Sequence, residues 1–549
     1  MTVSDEPLLD VRELTVDFGA LRAVDHVSFS LRAGGALGIV GESGSGKSAT
    51  AYALLDLHRG TGARVGGSVR LAGTDVLTAP DRALRRLRGG TVAMVFQDPL
   101  SSLDPYHAIG DQIAEVHRLH SGASRRAARA RAVDVLDRVG IPDAARRACS
   151  RPHEFSGGMR QRALIAMALA CAPRLLVADE PTTALDVTVQ AQILDLLHEL
   201  RADEGLGLVL VTHDVGVAAG SVDDVLVMKQ GRVEERGPVR DVLGAPRAPY
   251  TRALLGAVPR LDGPAARTRA PEGEPLVTAR ELTKVYGRGP RAVTALEGVS
   301  LTVRPGESVG IVGESGSGKT TLGRMLVGLL EPSAGTVAYG GAAAAREGRR
   351  PAVQMVFQDP ASSLNPRRGI GESIADPLRA RGDRDERAIR ARVDALLTRV
   401  GLDPAHYDRY PHEFSGGQRQ RVGIARALAP EPAVLLADEA VSALDVTTQA
   451  QVIALLDELR HELGLALVFV AHDLAVVRQV TERVLVLRAG RLVEEGPVDR
   501  VYADPADPYT RRLLDAVPVL DPAEAARRRA RRRTALAAAE QGPATTARV

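Results

Sequence analysis

Two stretches of the sequence have the residue types and spacing of a phosphate-binding loop. Each follows a short apolar run, 36–40 or 309–312, and each precedes a helical pattern. Glycines let backbone N–H groups converge on phosphate oxygens, and the helix N-terminus adds partial positive charge. The closing lysine reaches the β- and γ-phosphates, and the next hydroxyl binds Mg²⁺. The predicted nucleotide-binding residues are Gly41, Glu42, Ser43, Gly44, Ser45, Gly46, Lys47 and Ser48, and Gly313, Glu314, Ser315, Gly316, Ser317, Gly318, Lys319 and Thr320.

The use of lysine supports the same prediction. The chain has 71 Lys and Arg residues together, but only four are lysines, and two of these are Lys47 and Lys319. The ammonium of lysine is a compact point charge that fits among phosphate oxygens, whereas the guanidinium of arginine is planar and cannot take its place there. The sequence therefore predicts two sites for a nucleoside triphosphate.

A pair of carboxylates ends an apolar strand pattern in each half of the chain. Asp179 and Glu180 follow 175–178, and Asp438 and Glu439 follow 435–437. Acidic residues that end a strand are also common as capping groups, so each pair is ambiguous by itself. Beside a phosphate-binding loop, the first carboxylate is expected to hold Mg²⁺ and the second to activate a water molecule.

Glutamine and histidine side chains complete the predicted catalytic groups. Gln97 and Gln358 each follow a strand pattern, and a neutral amide there can contact Mg²⁺ or the attacking water. His213 and His472 each lie 34 residues after the aspartate of their own half. A single histidine is more often structural, but the repeated spacing favours a contact with the γ-phosphate. The predicted Mg²⁺ ligands are Ser48, Gln97, Asp179, Thr320, Gln358 and Asp438.

A second kind of anion-binding helix start occurs in both halves. Each lies 23 residues before the aspartate of its half, and a serine hydroxyl with free amides there suits a phosphate. One copy alone does not need two phosphate-binding helix starts that lie so far apart in sequence. A head-to-tail pair does need them, because the Ser-Gly-Gly segment of each copy can face the phosphate-binding loop of the other. The residues are Ser156, Gly157 and Gly158, and Ser415, Gly416 and Gly417.

Composition and apolar patterning describe a globular α/β protein. The apolar fraction is 45%, the formal net charge is +3, and the two cysteines are too few for a disulfide framework. No run approaches the roughly 20 apolar residues of a membrane span, and the N-terminus has no signal-peptide pattern. We therefore expect action from the cytosol, and any role at a membrane would require partners.

Most of the chain is an internal repeat. The predicted first domain covers 1–260, with a helical subdomain at about 99–165, and the second covers 276–519, with one at about 360–424. The segment 261–275, rich in Pro and Gly, is predicted to be a linker. The segment 520–549 is predicted to be a basic tail, either disordered or a solvated, frayed helix, with contact to anionic lipid or nucleic acid as the alternative.

With all these motifs in both halves, the chain resembles ABC-type ATPases. The resemblance extends to the D-loops, Ala184-Leu185-Asp186 and Ala443-Leu444-Asp445. It implies two tandem P-loop ATPase domains, each with a RecA-like sheet core and a helical subdomain. Within the family, the chain is most similar to the paired ATPase subunits of dipeptide, oligopeptide and nickel importers, joined in one polypeptide. The segments that carry this likeness are 96–105, 357–366, 249–255 and 508–514.

The resemblance also implies roles, ligands and partners. ATP and Mg²⁺ are the expected ligands, and Phe18 and Tyr286 are the expected adenine-stacking aromatics. Glu180 and Glu439 are the implied general bases. The implied partners are two integral-membrane permease subunits and an extracytoplasmic substrate-binding protein, with the two ATPase domains paired within the chain. We expect a peripheral protein on the cytoplasmic face of the cell membrane, with no nucleic-acid partner.

Departures from the family pattern are few. Met159 replaces the usual signature glutamine, and Ala440 replaces the proline that normally follows the second carboxylate. The chain lacks the cysteine-rich extension that holds an iron–sulfur cluster in some relatives, so none is expected.

Two other classes of function stay open from the sequence. A soluble tandem ABC ATPase acting on ribosomes or DNA is one, although such proteins usually carry long charged insertions or zinc-binding cysteines. A non-catalytic nucleotide-binding scaffold is another, and the two intact glutamates disfavour it. Peptides are the leading transported substrates, ahead of nickel chelates, glutathione-like compounds and oligosaccharides.

Overall fold

A computed structural model describes residues 6–183, 185–263, 273–289, 292–340, 353–442 and 444–540. The chain divides into two compact units. Unit 1 contains the described residues within 1–185, 189–258 and 518–549, and unit 2 those within 186–188 and 259–517. Most of the predicted linker, 264–272, lies outside the described residues.

The described residues of unit 1 form ten strands in two sheets. The strands are β1 Leu9–Phe18, β2 Leu21–Leu31, β3 Ala36–Val40, β4 Arg64–Leu71, β5 Thr74–Asp75, β6 Val92–Val95, β7 Leu175–Asp179, β8 Gly207–Thr212, β9 Asp224–Lys229 and β10 Arg232–Pro238. The helices encoded before the second unit are α1 Lys47–Ala53, α2 Asp81–Gly90, α3 Pro99–Ser102, α4 Ile109–Ser121, α5 Arg125–Arg138, α6 Ala144–Arg147, α7 Gly157–Leu169, α8 Val187–Glu204, α9 Val215–Ser221, α10 Val239–Gly244 and α11 Pro249–Ala257.

The larger sheet of unit 1 has the order β10-β9-β3-β8-β7-β6. Strand β3 lies between β8 and β9 and is parallel to both. Every residue of β3, β7 and β8 is buried, as expected for parallel strands that are covered on both faces. The loops that follow β3, β6, β7 and β8 therefore meet at one edge of the sheet, where an open α/β sheet binds its ligands.

The smaller sheet of unit 1 is antiparallel, with the order β2-β1-β4-β5. Residues on β1 alternate between buried and partly exposed, so one face packs inward. Its inward side chains, including Leu9 and Leu14, share a core with Ile39 of β3 and Leu54 next to α1. This packing fixes the helix that follows the first phosphate-binding loop.

The helical subdomain of unit 1 lies between β6 and β7 in sequence. Helices α4 and α5 pack against each other, and both contact α7. Their buried residues, among them Ile113, Leu136 and Ile165, form one core with β7 and β8. The subdomain is thus attached to the sheet through α7, which begins at the predicted Ser-Gly-Gly segment.

Unit 2 repeats this arrangement. Its strands are β11 Val277–Tyr286, β12 Val293–Val303, β13 Ser308–Val312, β14 Ala334–Tyr339, β15 Val353–Val356, β16 Val434–Asp438, β17 Ala466–Val470, β18 Arg483–Arg488 and β19 Arg491–Pro497. Its helices are α12 Lys319–Leu326, α13 Pro360–Ser363, α14 Ile370–Arg381, α15 Glu386–Arg399, α16 Gly416–Leu428, α17 Val446–Leu463, α18 Leu474–Val480, α19 Val498–Ala503 and α20 Pro508–Ala516.

The sheets of unit 2 repeat the strand neighbours of unit 1, except that the described residues contain no counterpart of β5. The larger sheet has the order β15-β16-β17-β13-β18-β19, and the smaller has the order β12-β11-β14. Gly310 on β13 pairs in parallel with Phe469 and Val484 on its two neighbours. The predicted α/β class with two similar domains is confirmed.

The tail is a packed helix up to residue 540, where the sequence predicted a disordered segment or a solvated helix. Pro522–Glu540 forms helix α21, which packs against α9 in unit 1. Arg532 donates to both carboxylate oxygens of Asp195, at 2.9 and 2.6 Å, and Arg529 donates to the Gly220 carbonyl. These contacts offset the lack of an apolar face. Residues 541–549 lie outside the described residues.

None of the helices in the described ranges is both long enough and apolar enough to span a membrane.

Candidate nucleotide-binding sites

The lysine of each phosphate-binding loop lies over the first two carbonyls of that loop. Lys47 Nζ donates to Gly41 O at 2.9 Å and Glu42 O at 2.7 Å. Lys319 Nζ donates to Gly313 O and Glu314 O, both at 2.8 Å. Both lysines are buried at the N-termini of α1 and α12, so each ammonium is preorganised at a helix start.

The glycines at the two ends of the first loop are required by close backbone contacts. Gly41 has φ 154°, and a Cβ there would lie 2.2 Å from Met228 O. Gly46 has φ 97°, and its Cβ would lie 2.3 Å from Ala23 O. Since a larger residue would displace the loop from strand β9 or β2, these two positions admit only glycine without rearrangement.

The residues predicted to hold Mg²⁺ come together in each unit. Ser48 Oγ donates to Asp179 Oδ1 at 3.1 Å, and Thr320 Oγ1 donates to Asp438 Oδ1 at 3.3 Å. Asp179 Oδ2 is buried without a hydrogen-bond partner in the described structure. Burial raises the pKa of Asp179 and of Asp438 to about 6, which a divalent cation would reverse.

This donor set fits Mg²⁺ bound together with nucleotide. Among the described residues, no group of three or more His, Cys, Asp and Glu side chains could by itself hold a metal ion. A hydroxyl and one carboxylate, completed by phosphate oxygens and water, is a usual environment for Mg²⁺. The amides of Gln97 and Gln358 donate through Nε2 to the neighbouring glutamates, and their role as Mg²⁺ ligands stays a prediction.

Glu180 is the centre of a hydrogen-bond cluster. Gln97 Nε2 donates to its carboxylate at 2.8 Å, and Thr183 Oγ1 donates to it at 2.9 Å. His213 Nδ1 lies 3.1 Å from Glu180 Oε1. The cluster therefore joins the ends of β6, β7 and β8, as the sequence pattern predicted for the three side chains.

Glu439 has the equivalent environment in unit 2. Gln358 Nε2 donates to its carboxylate at 2.7 Å, and His472 Nδ1 lies 3.6 Å away. Ser442 Oγ donates to the backbone carbonyl of Glu439 at 2.9 Å, whereas Thr183 bonds the carboxylate in unit 1. Both units thus contain the same cluster of glutamine, glutamate and histidine. They differ in whether the nearby hydroxyl, of Thr183 or Ser442, bonds the carboxylate or the backbone carbonyl of the glutamate.

The glutamate and histidine of each pair favour opposite charges. Burial alone would raise the pKa of Glu180, but the His213 hydrogen bond and charge lower it below its usual value. Burial would likewise lower the pKa of His213, and Glu180 raises it instead. Glu439 and His472 shift in the same directions for the same reasons. An ionised glutamate beside a histidine is suited to accept a proton from water.

The two predicted signature serines start helices. Ser156 Oγ accepts from Met159 N, and Ser415 Oγ accepts from Gln418 N, both at 3.3 Å. Each serine is therefore the N-cap of a 13-residue helix, α7 or α16. Because the oxygen acts as the cap, the hydroxyl hydrogen remains able to donate to an anion.

The two predicted adenine-stacking aromatics are surface residues. Phe18 is 42% exposed and contacts the His58 ring edge-on, with centroids 5.4 Å apart. Tyr286 is 44% exposed, and Lys284 Nζ lies 5.6 Å from its ring centre. Both residues are thus partly accessible, and their stacking role stays a prediction. Of the D-loop residues, Ala184 and Ala443 lie outside the described residues.

Sequence reasoning missed three side chains that contact these groups. Thr183 bonds Glu180, and two tyrosines, Tyr250 and Tyr509, bond the phosphate-binding loops. The tyrosines are 208 and 195 residues from the loop residues they contact. Only the repeated Pro-Tyr-Thr-Arg segment signalled them, and it did not indicate a contact.

Comparison with known families agrees with this geometry. Residues 24–183 and 296–442 match the family described as ABC transporter. The chain belongs to the ABC transporter ATP-binding family. It is an ABC-type ATPase, as predicted. Residues 234–287 and 493–544 also match the family described as the C-terminal region of oligopeptide/dipeptide transporters.

Relatives of known function are similar over nearly the whole chain. The glutathione import ATP-binding protein GsiA of Salmonella typhimurium is 46% identical over 542 residues, covering 91% of this chain and 87% of the relative. The protein of the same name from Escherichia coli O157:H7 is 46% identical over 544 residues, with the same coverage.

Solved structures of ATP-binding cassettes are similar to part of this chain. A post-hydrolysis dimer of the ATP-binding cassette MJ0796, bound to ADP and Pi, is 33% identical and covers 40% of this chain and 98% of its own, with a TM-score of 0.36.

Proposed function

We propose that this ABC ATPase drives an importer of peptide-like solutes by coupling ATP hydrolysis to the movement of partner permeases. The observation that carries the proposal is the duplication of two features. Each unit has a complete lysine, aspartate, glutamate and histidine set, and each half matches the C-terminal region of oligopeptide/dipeptide transporters. Relatives named for glutathione import, a peptide-like solute, support the same class.

The residues of each site have distinct roles in the proposed mechanism. Lys47 and the loop amides bind and orient the β- and γ-phosphates. Glu180, held ionised by His213, takes the proton from the attacking water, and His213 steadies the γ-phosphate. Gln97 is bonded to Glu180 and can move with it. Mg²⁺, bound at Ser48 and Asp179, would neutralise charge on the phosphates. Lys319, Glu439, His472 and Gln358 have the same roles in unit 2.

The Ser-Gly-Gly helix starts are proposed to complete the opposite sites. Ser415 would face the ATP at the Lys47 loop, and Ser156 the ATP at the Lys319 loop. Their hydroxyl donors and N-terminal amides suit an anionic γ-phosphate. ATP binding would then close the two units on each other, and hydrolysis would reopen them.

Closure must be transmitted to a membrane component. We propose that segments 101–105 and 362–366, which follow the glutamines, contact two permease subunits. Tyr106, next to the first segment, is 82% exposed. An extracytoplasmic binding protein would deliver the substrate, and the chain would act as a peripheral protein on the cytoplasmic face of the membrane.

Purification from the native host in mild detergent tests the proposal. We expect the tagged chain to bring down two polytopic membrane proteins, identified by mass spectrometry. In proteoliposomes of that complex, a binding protein with peptide or glutathione should stimulate ATP hydrolysis, and the Glu180→Gln/Glu439→Gln variant should be inert.

Two results would contradict the proposal of an importer for peptide-like solutes. One is recovery of ribosomes or DNA-repair proteins without permeases, which would favour a soluble tandem ATPase. The other is stimulation by nickel chelates or oligosaccharides alone, which would retain the ATPase but change the substrate class.

A further inference from the structure

One tyrosine in each unit bonds the beginning of the phosphate-binding loop. The Tyr250 hydroxyl oxygen accepts from Glu42 N–H at 3.3 Å, and the Tyr509 hydroxyl oxygen accepts from Glu314 N–H at 3.0 Å. The two contacts occur in separate units at equivalent positions. Their repetition argues against a chance encounter of side chain and loop.

Both tyrosines belong to the part of the chain that distinguishes oligopeptide/dipeptide transporters. Tyr250 is in the first turn of α11 and Tyr509 in the first turn of α20. These helices lie within the matched C-terminal regions, 234–287 and 493–544. The loop, by contrast, lies within the regions that match ABC transporters generally.

The tyrosines are held firmly by their surroundings. They are only 9% and 2% exposed, and a cation lies over each ring: Lys229 Nζ is 4.7 Å from the Tyr250 centre. The guanidinium of Arg488 is 5.2 Å from the ring centre of Tyr509. Such packing leaves each hydroxyl little freedom to move from the loop.

A glutamate on the last strand of each unit fixes the helix start that carries the tyrosine. Glu235 accepts from the amides of Arg247 and Ala248, at 2.9 and 3.0 Å. Glu494 accepts from Ala506 N and Asp507 N, at 2.8 and 3.1 Å. The tyrosine is therefore tied to the sheet that supports the loop.

The bonded amide belongs to the peptide group that holds the lysine. Gly41 C=O and Glu42 N–H are the two ends of one planar peptide unit. Lys47 Nζ donates to that carbonyl, while Tyr250 accepts from that N–H. In unit 2, Lys319 and Tyr509 occupy the same two ends of the 313–314 peptide. Rotation of either peptide would break both bonds together.

We propose that Tyr250 and Tyr509 are positioning residues for ATP binding. Through the 41–42 and 313–314 peptides they orient the loop carbonyls, and thereby the lysines that bind phosphate. The proposal rests on the ATP sites of the proposed function and adds to them a contact from the C-terminal region of each unit. The ligand whose binding these tyrosines support is the phosphate chain of the nucleotide.

Phenylalanine substitutions separate this role from simple packing, because they remove only the hydroxyl. We expect Tyr250→Phe/Tyr509→Phe in the full chain to raise the Kd for Mg·ADP about 3- to 10-fold, the loss of one hydrogen bond per site. The KM for ATP should rise by a similar factor, with kcat changed less than about 2-fold.

Tyr407→Phe is the matched control. Its hydroxyl is also buried and donates to Glu372 at 2.8 Å, but it lies beside α14 in the helical subdomain. This variant should lose stability without a change in Mg·ADP affinity. If Tyr250→Phe/Tyr509→Phe binds Mg·ADP within about 2-fold of the unsubstituted chain, the hydroxyls only pack and the proposal is wrong.

Hydrogen exchange gives a second readout that needs no nucleotide. Tyr250→Phe should speed exchange in the peptide that contains Glu42 and leave the Glu314 peptide unchanged, and Tyr509→Phe should do the reverse. If the two variants show the same exchange rates at the Glu42 peptide and at the Glu314 peptide, the proposal is wrong. If the unsubstituted chain itself fails to bind Mg·ADP, the proposed ATPase function is at fault instead.

Discussion

The two glutamates proposed as general bases have an unusual backbone conformation. Glu180 has φ 48° and Glu439 has φ 46°, values that non-glycine residues seldom adopt. Their backbone amides donate to Val211 O and Val470 O, both at 2.9 Å. These bonds tie each glutamate to the strand that precedes the histidine of its cluster. Strain of this kind commonly marks functional residues.

Removing the charge of either glutamate should reduce ATP hydrolysis. We expect Glu180→Gln and Glu439→Gln each to lower kcat by about 10²-fold or more if the sites are coupled, because a general base contributes about 10²–10⁴-fold. The double variant should show no turnover above background while still binding Mg·ADP. Steady-state phosphate release measures this effect.

The comparison of the two single variants tests the equivalence of the sites. Because both clusters contain the same glutamine and histidine partners, the two variants should lose similar activity. Unchanged turnover in Glu180→Gln, together with complete loss in Glu439→Gln, would show that only one site is hydrolytically active.

The close approach at the first loop glycine of unit 2 predicts a stability effect. A Cβ on Gly313 would lie 2.2 Å from Leu487 O, and its φ of 150° is poorly suited to alanine. Gly313→Ala should therefore destabilise the chain by about 1–3 kcal/mol, as overpacking does. Thermal unfolding followed by circular dichroism measures the change.

Gly423→Ala is the control for that substitution. Gly423 lies inside α16, and a Cβ there would meet no heavy atom within 4 Å. Alanine should stabilise this helix by about 0.5–1 kcal/mol. Equal destabilisation by the two changes would contradict the explanation from backbone contact.

At this scale, the sequence identified the residues whose spacing repeats. The lysines, aspartates, glutamates, glutamines and histidines were predicted because each ends a strand or a glycine-rich loop. Tyr250 and Thr183 were missed for different reasons. A tyrosine in a helix start has no local pattern that indicates its partner 208 residues away, and a threonine in a turn is common.

Among the elements, α14 of unit 2 carries a dense ionic network. Glu372 accepts from Arg379 at 2.7 Å, and Arg379 also donates to Glu386 at 2.7 Å on the neighbouring helix. Arg368 donates to Asp376 at 2.7 Å on the same helix. The network joins α14 and α15, so it supports the subdomain through surface charges as well as through its core.

The network predicts a pH-dependent stability. Hydrogen bonds from Arg379 and then Tyr407 lower the pKa of Glu372 to about 2, from an ordinary value of 4.5. Because the pKa of Glu372 is lower in the folded chain than in the unfolded chain, its ionised form stabilises the folded state above pH 4.5. That contribution is lost as pH falls from 4.5 toward 2. Glu372→Gln should thus destabilise the chain at pH 7, by less than about 1 kcal/mol per exposed pair.

Calorimetry at several pH values measures this effect. The difference between Glu372→Gln and the unsubstituted chain should shrink as pH falls from 4.5 toward 2. Glu462→Gln, which alters an exposed carboxylate on α17, is the control. A difference that does not vary with pH would mean that packing, and not charge, accounts for it.

Regular elements were predicted well where a local pattern dictates them. The buried strands β3, β7 and β8 are continuous apolar runs, and the structure places them as expected. The error concerned α21, because its run of arginines has no apolar face. Its partner Asp195 is 337 residues away in sequence, and no local pattern could reveal that pairing.

For the whole molecule, α21 makes unit 1 discontinuous in sequence. The chain passes through unit 2 and then supplies a helix to unit 1. The Arg532–Asp195 pair is mostly buried, with side-chain exposures of 22% and 14%. Losing one partner of a charged, two-bond contact usually costs about 1.5–3 kcal/mol.

Asp195→Ala should therefore lower the unfolding temperature of unit 1 selectively. Differential scanning calorimetry of the full chain should show one transition shifted and the transition of unit 2 unchanged. Arg533→Ala is the control on the same helix, since Arg533 is 67% exposed and lies 4.0 Å from Glu199. Equal shifts from both variants would mean that the pair adds nothing specific.

The position of α21 also determines the order in which unit 1 can be completed. During synthesis, its sheets and helical subdomain leave the ribosome first, and the helix that covers α9 follows only after all of unit 2. Until then, Asp195 and the Gly220 carbonyl lack their arginine partners. Fission of the gene between the two units would separate unit 1 from its own last helix, which would then have to be supplied by the other polypeptide.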